Sequence, residues 1–164
     1  MKRMQFHLSS VIGTGAAAGL AGTAAMMAMR WFDEKYAPKT IPKMKDDPAQ
    51  FLVHAAERAT GIAGAVPKSV EGSAALATHA GYGTLFGVLY GLSRGRRKSR
   101  SALGDGVILG TVAYAVGHLG WLPALGLSKP VWKQDFPEIA GELLRHVAYG
   151  VATTASYGMI EAIQ

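Results

Sequence analysis

Four long apolar stretches constrain most strongly what this chain can fold into. They cover residues 8–31, 74–92, 102–122 and 139–163, and alanine and glycine supply much of each. A helix of about 20 mainly apolar residues crosses the roughly 30 Å hydrocarbon layer of a bilayer. The stretches therefore predict an all-α fold, a single integral membrane domain over residues 1–164 with four transmembrane helices. A soluble helical bundle is the alternative.

The composition favours the membrane fold over the soluble one. Only 17% of the residues are charged, whereas soluble domains carry about 25%. Many of the 21 glycines fall inside the apolar stretches, where they would weaken a soluble helix but allow membrane helices to approach closely. The chain has no cysteine, which excludes a disulfide framework, a thiol nucleophile and a thiolate metal site.

A strongly basic segment between the second and third stretches predicts the orientation. Its cationic residues are Arg94, Arg96, Arg97, Lys98 and Arg100. Because short loops rich in lysine and arginine stay in the cytoplasm, we expect cytoplasmic N and C termini in a bacterial inner membrane, with this segment next to anionic lipid. Its place between two apolar stretches argues against a nucleic-acid partner.

The connection from residue 32 to residue 73 then lies on the outer side. Apolar residues recur at helical spacing within 49–60, which predicts a short helix that either lies on the membrane surface or caps the bundle. Residues 1–29 also resemble a signal peptide, because Lys2 and Arg3 precede an apolar stretch that ends in small residues near position 28. Cleavage there is an alternative to a first span.

An internal repeat relates the second and fourth stretches. The element His-x-x-Tyr-Gly occurs at residues 79–83 and again at 146–150. Small residues follow at intervals of four in both copies: Gly83, Gly87 and Gly91 in one, Gly150, Thr154 and Gly158 in the other. Residues four apart share one helix face, so both sets predict close helix–helix packing. A weaker Gly-x-Gly-x-x-x-Gly match between the first and third stretches completes two helical hairpins in a parallel repeat.

Polar residues inside the predicted spans are the candidate functional groups, because such side chains are costly in a membrane and usually face the bundle interior. They are His79, His118, Glu142, Arg145 and His146. The predicted orientation puts all of them in the outer third of the bilayer. Three interpretations remain open: a structural polar network, an element that responds to external pH, and a metal or haem site with histidine ligands.

Three features of the chain are also typical of a known group of proteins. They are the four Ala/Gly-rich stretches, the repeated His-x-x-Tyr-Gly element, and the segment His-Leu-Gly-Trp-Leu-Pro-Ala-Leu-Gly from His118 to Gly126. Together they resemble the YagU-like family of small, functionally uncharacterised bacterial inner-membrane proteins. The resemblance implies an inner-membrane location and no particular chemistry.

The sequence shows no nucleophile–base pair, phosphate-binding loop or carboxylate pair, so we expect a non-enzymatic membrane protein without a cofactor. Its expected role is in envelope stress or acid tolerance, or as an accessory subunit that contacts other membrane subunits or a second copy of itself. The first alternative is a membrane protein that binds haem or a transition metal through the outer-side histidines. A small transporter or channel is the second.

Overall fold

The computed structural model describes residues 2–45, 47–62, 67–94 and 101–164, and over these ranges it is helical, without strands. The α-helices are α1 (Lys2–Tyr36), α2 (Pro48–Thr60), α3 (Lys68–Arg94), α4 (Ala102–Tyr114), α5 (Leu122–Ala124) and α6 (Phe136–Ala162). A π-helix (Ala115–Trp121) joins α4 to α5, and 3-10 turns occur at Pro38–Thr40 and Val131–Lys133. The predicted all-α class is confirmed.

Each predicted apolar stretch lies almost entirely within one helical segment, although the helices extend beyond the stretches. Two segments of the described chain, Leu8–Tyr36 and Ala102–Ala124, are long and apolar enough to cross a membrane. The helices α3 and α6 have 27 residues each but more polar sequences. The connection on the predicted outer side is shorter than 32–73, because α1 continues to Tyr36 and α3 already begins at Lys68.

The predicted short helix within this connection corresponds to α2, and both of its ends carry local signals. The Asp47 carboxylate accepts hydrogen bonds from the backbone N–H groups of Ala49 and Gln50, at 2.9 and 3.1 Å, which satisfies two of the free donors of the first turn. Gly61 ends the helix in a left-handed conformation with φ of 76°, which glycine adopts without strain. The helix packs against α3.

The long helices are not arranged as a simple ring. Helix α1 packs along both α3 and α6, and α6 packs along α4, whereas α3 and α4 hardly touch. The packing order is therefore α3–α1–α6–α4, with α1 and α6 at the centre. At one end of the bundle the Arg94 guanidinium lies 2.9 Å from the Glu161 carboxylate and 5.1 Å from the centre of the Tyr157 ring. The other four predicted basic residues, Arg96, Arg97, Lys98 and Arg100, lie outside the described residues.

Glycine is required where α1 crosses α3. A Cβ atom added to Gly15 would lie 2.7 Å from the carbonyl oxygen of Gly87, and one added to Gly87 would lie 2.7 Å from the Cα of Gly19. Gly19 in turn faces the carbonyl of Gly83. Real Cβ atoms do not approach backbone this closely, so these four glycines set the distance between the two helices. Gly91 extends the contact to the ring of Tyr157.

A similar crossing joins α4 to α6. A Cβ atom on Gly106 would lie 2.5 Å from the Cα of Val151, and one on Gly150 would lie 2.6 Å from the backbone nitrogen of Gly110. Nearby, the Thr154 hydroxyl donates a hydrogen bond to the carbonyl of Ala102 at 2.6 Å. Small residues thus bring α4 and α6 together, as Gly15 and Gly87 bring α1 and α3 together.

Gly158 differs from the other predicted packing residues, because a Cβ atom there would have no neighbour within 4 Å. This makes it a matched control. We expect Gly87→Ala to lower the free energy of unfolding of the purified chain by about 1–3 kcal/mol, the usual cost of overpacking. We expect Gly158→Ala to leave it unchanged or raise it by up to about 1 kcal/mol, because alanine is the better helix former. Thermal unfolding followed by circular dichroism compares the two, and equal stability would contradict the close crossing.

Candidate functional site

Arg145 is the most deeply buried charged residue described, with 1% of its surface exposed. Its Nη1 donates to the Asp33 carboxylate at 2.5 Å, and its Nη2 donates to the Glu142 carboxylate at 2.7 Å and to the Thr40 carbonyl at 3.0 Å. Asp33 belongs to α1, Thr40 to the 3-10 turn that follows it, and Glu142 to α6 itself. The guanidinium therefore joins three segments of the chain at one point.

Glu142 uses its second carboxylate oxygen to face two histidines. This oxygen lies 3.3 Å from Nε2 of His118 and 3.3 Å from Nδ1 of His146. The His146 Nδ1 also lies 2.9 Å from the Glu142 backbone carbonyl, one helical turn earlier. His118 reaches the site from the π-helix, a rare geometry that is frequent at functional sites. We call Asp33, His118, Glu142, Arg145 and His146 the polar cluster; all five are buried.

Aromatic rings pack around the two histidines. The Tyr114 ring is stacked on His118 with centroids 5.1 Å apart, and the two imidazoles meet edge to face at 5.2 Å. Among the described residues, His118 Nδ1 and the Tyr114 hydroxyl are buried without a hydrogen-bond partner. Buried polar atoms without partners are uncommon, and they often mark a water, an ion or a ligand.

The formal charges of the polar cluster do not balance. Asp33 and Glu142 each contribute −1 and Arg145 contributes +1, so with neutral histidines the sum is −1. An unbalanced charge away from water is unfavourable by several kcal/mol unless another charge compensates it. The arrangement therefore favours one further positive charge next to Glu142.

Three members of the cluster have donor atoms suited to a metal ion. One ligand atom each from His118, Glu142 and His146 lies within 4.8 Å of the other two. Two imidazoles and one carboxylate are a ligand set that zinc and other first-row transition metals accept. The geometry thus brings together groups that the sequence placed on two separate spans.

A cavity of about 700 Å³ lies beside the polar cluster. His118, Glu142, Arg145 and His146 form part of its wall. Residues of all six α-helices and of the π-helix also line it, together with Ile41, Pro42, Met44, Lys45 and Asp47. His79 also lines the cavity, from α3, but unlike the members of the polar cluster it is not buried. Within the described part of the chain no ion pair joins His79 to the cluster, so the structure brings together four of the five predicted polar residues.

Sequence reasoning missed Asp33 and Thr40, which hold the guanidinium of Arg145. Both lie just beyond the first apolar stretch, within the predicted outer connection of residues 32–73. No sequence pattern pointed to Asp33, because the charges of Arg145 and Glu142 already balance and the pairing of Arg145 with Asp33 spans 112 positions. Tyr114 could have been found by its spacing, since it precedes His118 by four residues.

The chain belongs to a family of proteins of unknown function (DUF1440), whose model matches residues 24–155. The match includes every residue of the polar cluster, and it includes the glycines of the two helix crossings except for Gly15 and Gly19. No curated protein and no solved structure matches the chain. Membership of an uncharacterised family is thereby confirmed, and the likeness to YagU-like proteins stays a prediction.

The ion pairs of Arg145 and Arg30 allow a controlled test of the cluster. We expect Arg145→Leu to lower the free energy of unfolding by about 3–5 kcal/mol, because it leaves two buried carboxylates without their partner. Arg30 pairs with Glu34 on an exposed helix face, where both side chains are at least half exposed. We expect Arg30→Leu to change stability by no more than about 1 kcal/mol. If thermal unfolding shows that both variants lose the same amount of stability, the polar cluster does not stabilise the bundle.

Proposed function

We propose that the protein is a non-enzymatic, multi-pass protein of the bacterial inner membrane, whose four spans are α1, α3, the segment from α4 to α5, and α6. One observation supports this more than any other: the side chains that are buried most completely are polar, whereas many large apolar side chains are exposed. The largest side chains with less than 2% exposure are Arg145, Thr153 and Thr154. All three are polar.

Large apolar side chains, in contrast, cover the outside of the bundle. The exposed residues of α4 and the π-helix include Val107, Ile108, Val112, Val116 and Leu119, and those of α3 include Leu85, Leu89 and Leu92. Soluble monomers rarely expose continuous apolar surfaces of this kind. Hydrocarbon is the solvent that such a surface suits, and it also favours polar side chains that satisfy one another inside.

The same reasoning supports α3 and α6 as spans despite their more polar sequences. At 1.5 Å per residue a 27-residue helix is about 40 Å long, more than the hydrocarbon layer requires. Within α6 the residues Glu142, Arg145 and His146 are buried, and the exposed Glu161 lies at the end of the helix. The three buried residues therefore do not meet lipid.

The predicted orientation places the Arg94 end of the bundle in the cytoplasm and the polar cluster toward the outer face. The N and C termini are then cytoplasmic. The two glycine crossings, α1 with α3 and α4 with α6, use positions related by the internal repeat, since Gly15 faces Gly87 and Gly106 faces Thr154. This equivalence supports two hairpins built as a parallel repeat.

The proposed role is in the tolerance of envelope stress, acid included, or as an accessory subunit of a membrane complex, and YagU-like proteins are the group that the chain resembles. Two features support an envelope role. First, the ionisable groups of the polar cluster gather at the end that the orientation assigns to the outer face. Second, the charged side chains of Asp33, Glu142 and Arg145 pair with one another, as expected for binding or structural groups.

The membrane assignment is tested by cell fractionation. We expect the full chain to remain in the membrane pellet after an alkaline carbonate wash, because its apolar outer surface has no favourable contact with water. An epitope tag within residues 95–100 should be reached by antibody only after the inner membrane is permeabilised, whereas a tag between α2 and α3 should be reached from the periplasm. Recovery of the chain in the soluble fraction, or exchange of the two tag results, would refute the proposal.

The physiological part of the proposal is tested by an acid shift. We expect cells that lack the chain to survive transfer to acidic medium less well than cells that produce it, and a plasmid copy should restore survival. Viable counts at several times after the shift measure the effect. Equal survival would refute the role in acid tolerance. The accessory-subunit role would then remain, and co-purification of other membrane proteins in mild detergent tests it.

A further inference from the structure

We propose that His118, Glu142 and His146 form a binding site for a divalent transition-metal ion of the zinc class, with one coordination position open to the cavity. The proposal goes beyond membrane residence and does not depend on it. It is carried by the convergence of three buried donors from two helical segments, the π-helix and α6. Four further features of the site support it.

The first feature is the separation of the donors. A tetrahedral zinc site has metal–ligand distances of about 2.0–2.1 Å, so its ligand atoms are about 3.3 Å apart. The distance between His118 Nε2 and the Glu142 carboxylate oxygen is 3.3 Å. One ring nitrogen of His146 also lies within 4.8 Å of the other two donors.

The second feature is the environment of the His146 ring. Its Nδ1 lies 2.9 Å from the Glu142 backbone carbonyl, and donation of a hydrogen bond from Nδ1–H fixes the tautomer that leaves a lone pair on Nε2. Histidines that bind metals commonly donate their other N–H to a backbone carbonyl or a carboxylate in this way. Arg145 acts similarly on Glu142, because it binds one carboxylate oxygen at 2.7 Å and leaves the other free.

The third feature is the charge of the polar cluster, −1 with neutral histidines. A divalent ion together with one coordinated hydroxide or one anionic ligand adds +1, so the buried charges then sum to zero. The fourth feature is the pair of unpartnered atoms, His118 Nδ1 and the Tyr114 hydroxyl. Both atoms need a hydrogen-bond partner such as a water molecule from the cavity, and the same route admits an ion.

The same geometry argues against haem. A macrocycle held by both histidines requires the two imidazoles on opposite faces of its plane. Here both rings approach a single Glu142 oxygen, at 3.3 Å each, and their centroids are 5.2 Å apart with the planes nearly perpendicular. The ligand set fits a single ion, and its carboxylate and imidazoles suit zinc better than a soft ion such as Cu(I).

The experiment uses the full chain, purified in mild detergent, stripped with a chelator and titrated with Zn²⁺ or with Co²⁺ as a spectroscopic probe. We expect one Zn²⁺ per chain by elemental analysis after desalting, and visible absorption bands of low-symmetry Co²⁺ that Zn²⁺ abolishes. A wild-type chain that retains neither ion would overturn the proposal.

The variants are chosen to keep the fold. His146→Asn retains a donor near the Glu142 carbonyl but removes Nε2, and His118→Asn keeps a polar side chain of smaller reach. Each should weaken Zn²⁺ binding by more than the roughly 10- to 100-fold that loss of an outer-shell partner costs. His79→Asn, which changes the cavity wall and not the three donors, should bind as wild type does. If His118→Asn and His146→Asn keep wild-type affinity, or if His79→Asn loses binding equally, the site is not the one proposed; circular dichroism of each variant verifies the helical fold.

Discussion

Removing the guanidinium of Arg145 from water is costly by several kcal/mol unless every N–H finds a partner, and the partners come from separate parts of the chain. Asp33 lies near the end of α1, Thr40 in the turn beyond it, and Glu142 one turn before Arg145 on α6. Satisfying this one group therefore brings the end of α1 against α6 and folds the following connection over both. Because Glu142 uses one oxygen for Arg145, its other oxygen is directed at His118 and His146.

The long helices also need a source of attraction away from the polar cluster. In the proposed membrane location the burial of apolar side chains contributes little, so close van der Waals contact is what stabilises the crossings there. Gly15 against Gly87 and Gly106 against Val151 supply this contact, since a single Cβ atom would separate the backbones. At the far end Arg94 pairs with Glu161. Ionic contacts at both ends and small residues between them thus account for the packing order α3–α1–α6–α4.

Much of the fold could be predicted from the sequence, because helical segments follow from local patterns such as apolar runs, capping residues and glycines spaced by four. The sequence predicted that His118, Glu142 and His146 lie close together, because all three fall at a similar depth in the predicted membrane spans. The pairing of Arg145 with Asp33 could not be predicted in this way. The two residues are 112 positions apart, and whether they meet depends on which helices are neighbours. Depth alone also groups His79 with the other histidines. His79 lies on α3, however, and α3 hardly touches α4, the helix that leads to His118. The π-helix under His118 has no signal in the apolar pattern.

The cavity lies where α3 and α4 hardly touch, and residues of both helices form part of its wall. The two central helices, α1 and α6, lie between the outer ones, and residues of α2 together with Ile41, Pro42, Met44 and Lys45 line the remaining space. A buried cluster with a net negative charge would be hard to maintain in a fully packed core, because no ion or water could reach it to compensate the charge. A cavity that reaches His118 and Glu142 removes this difficulty. The gap in the packing and the unbalanced charge are therefore consistent with each other, and both are what an exchangeable cation requires.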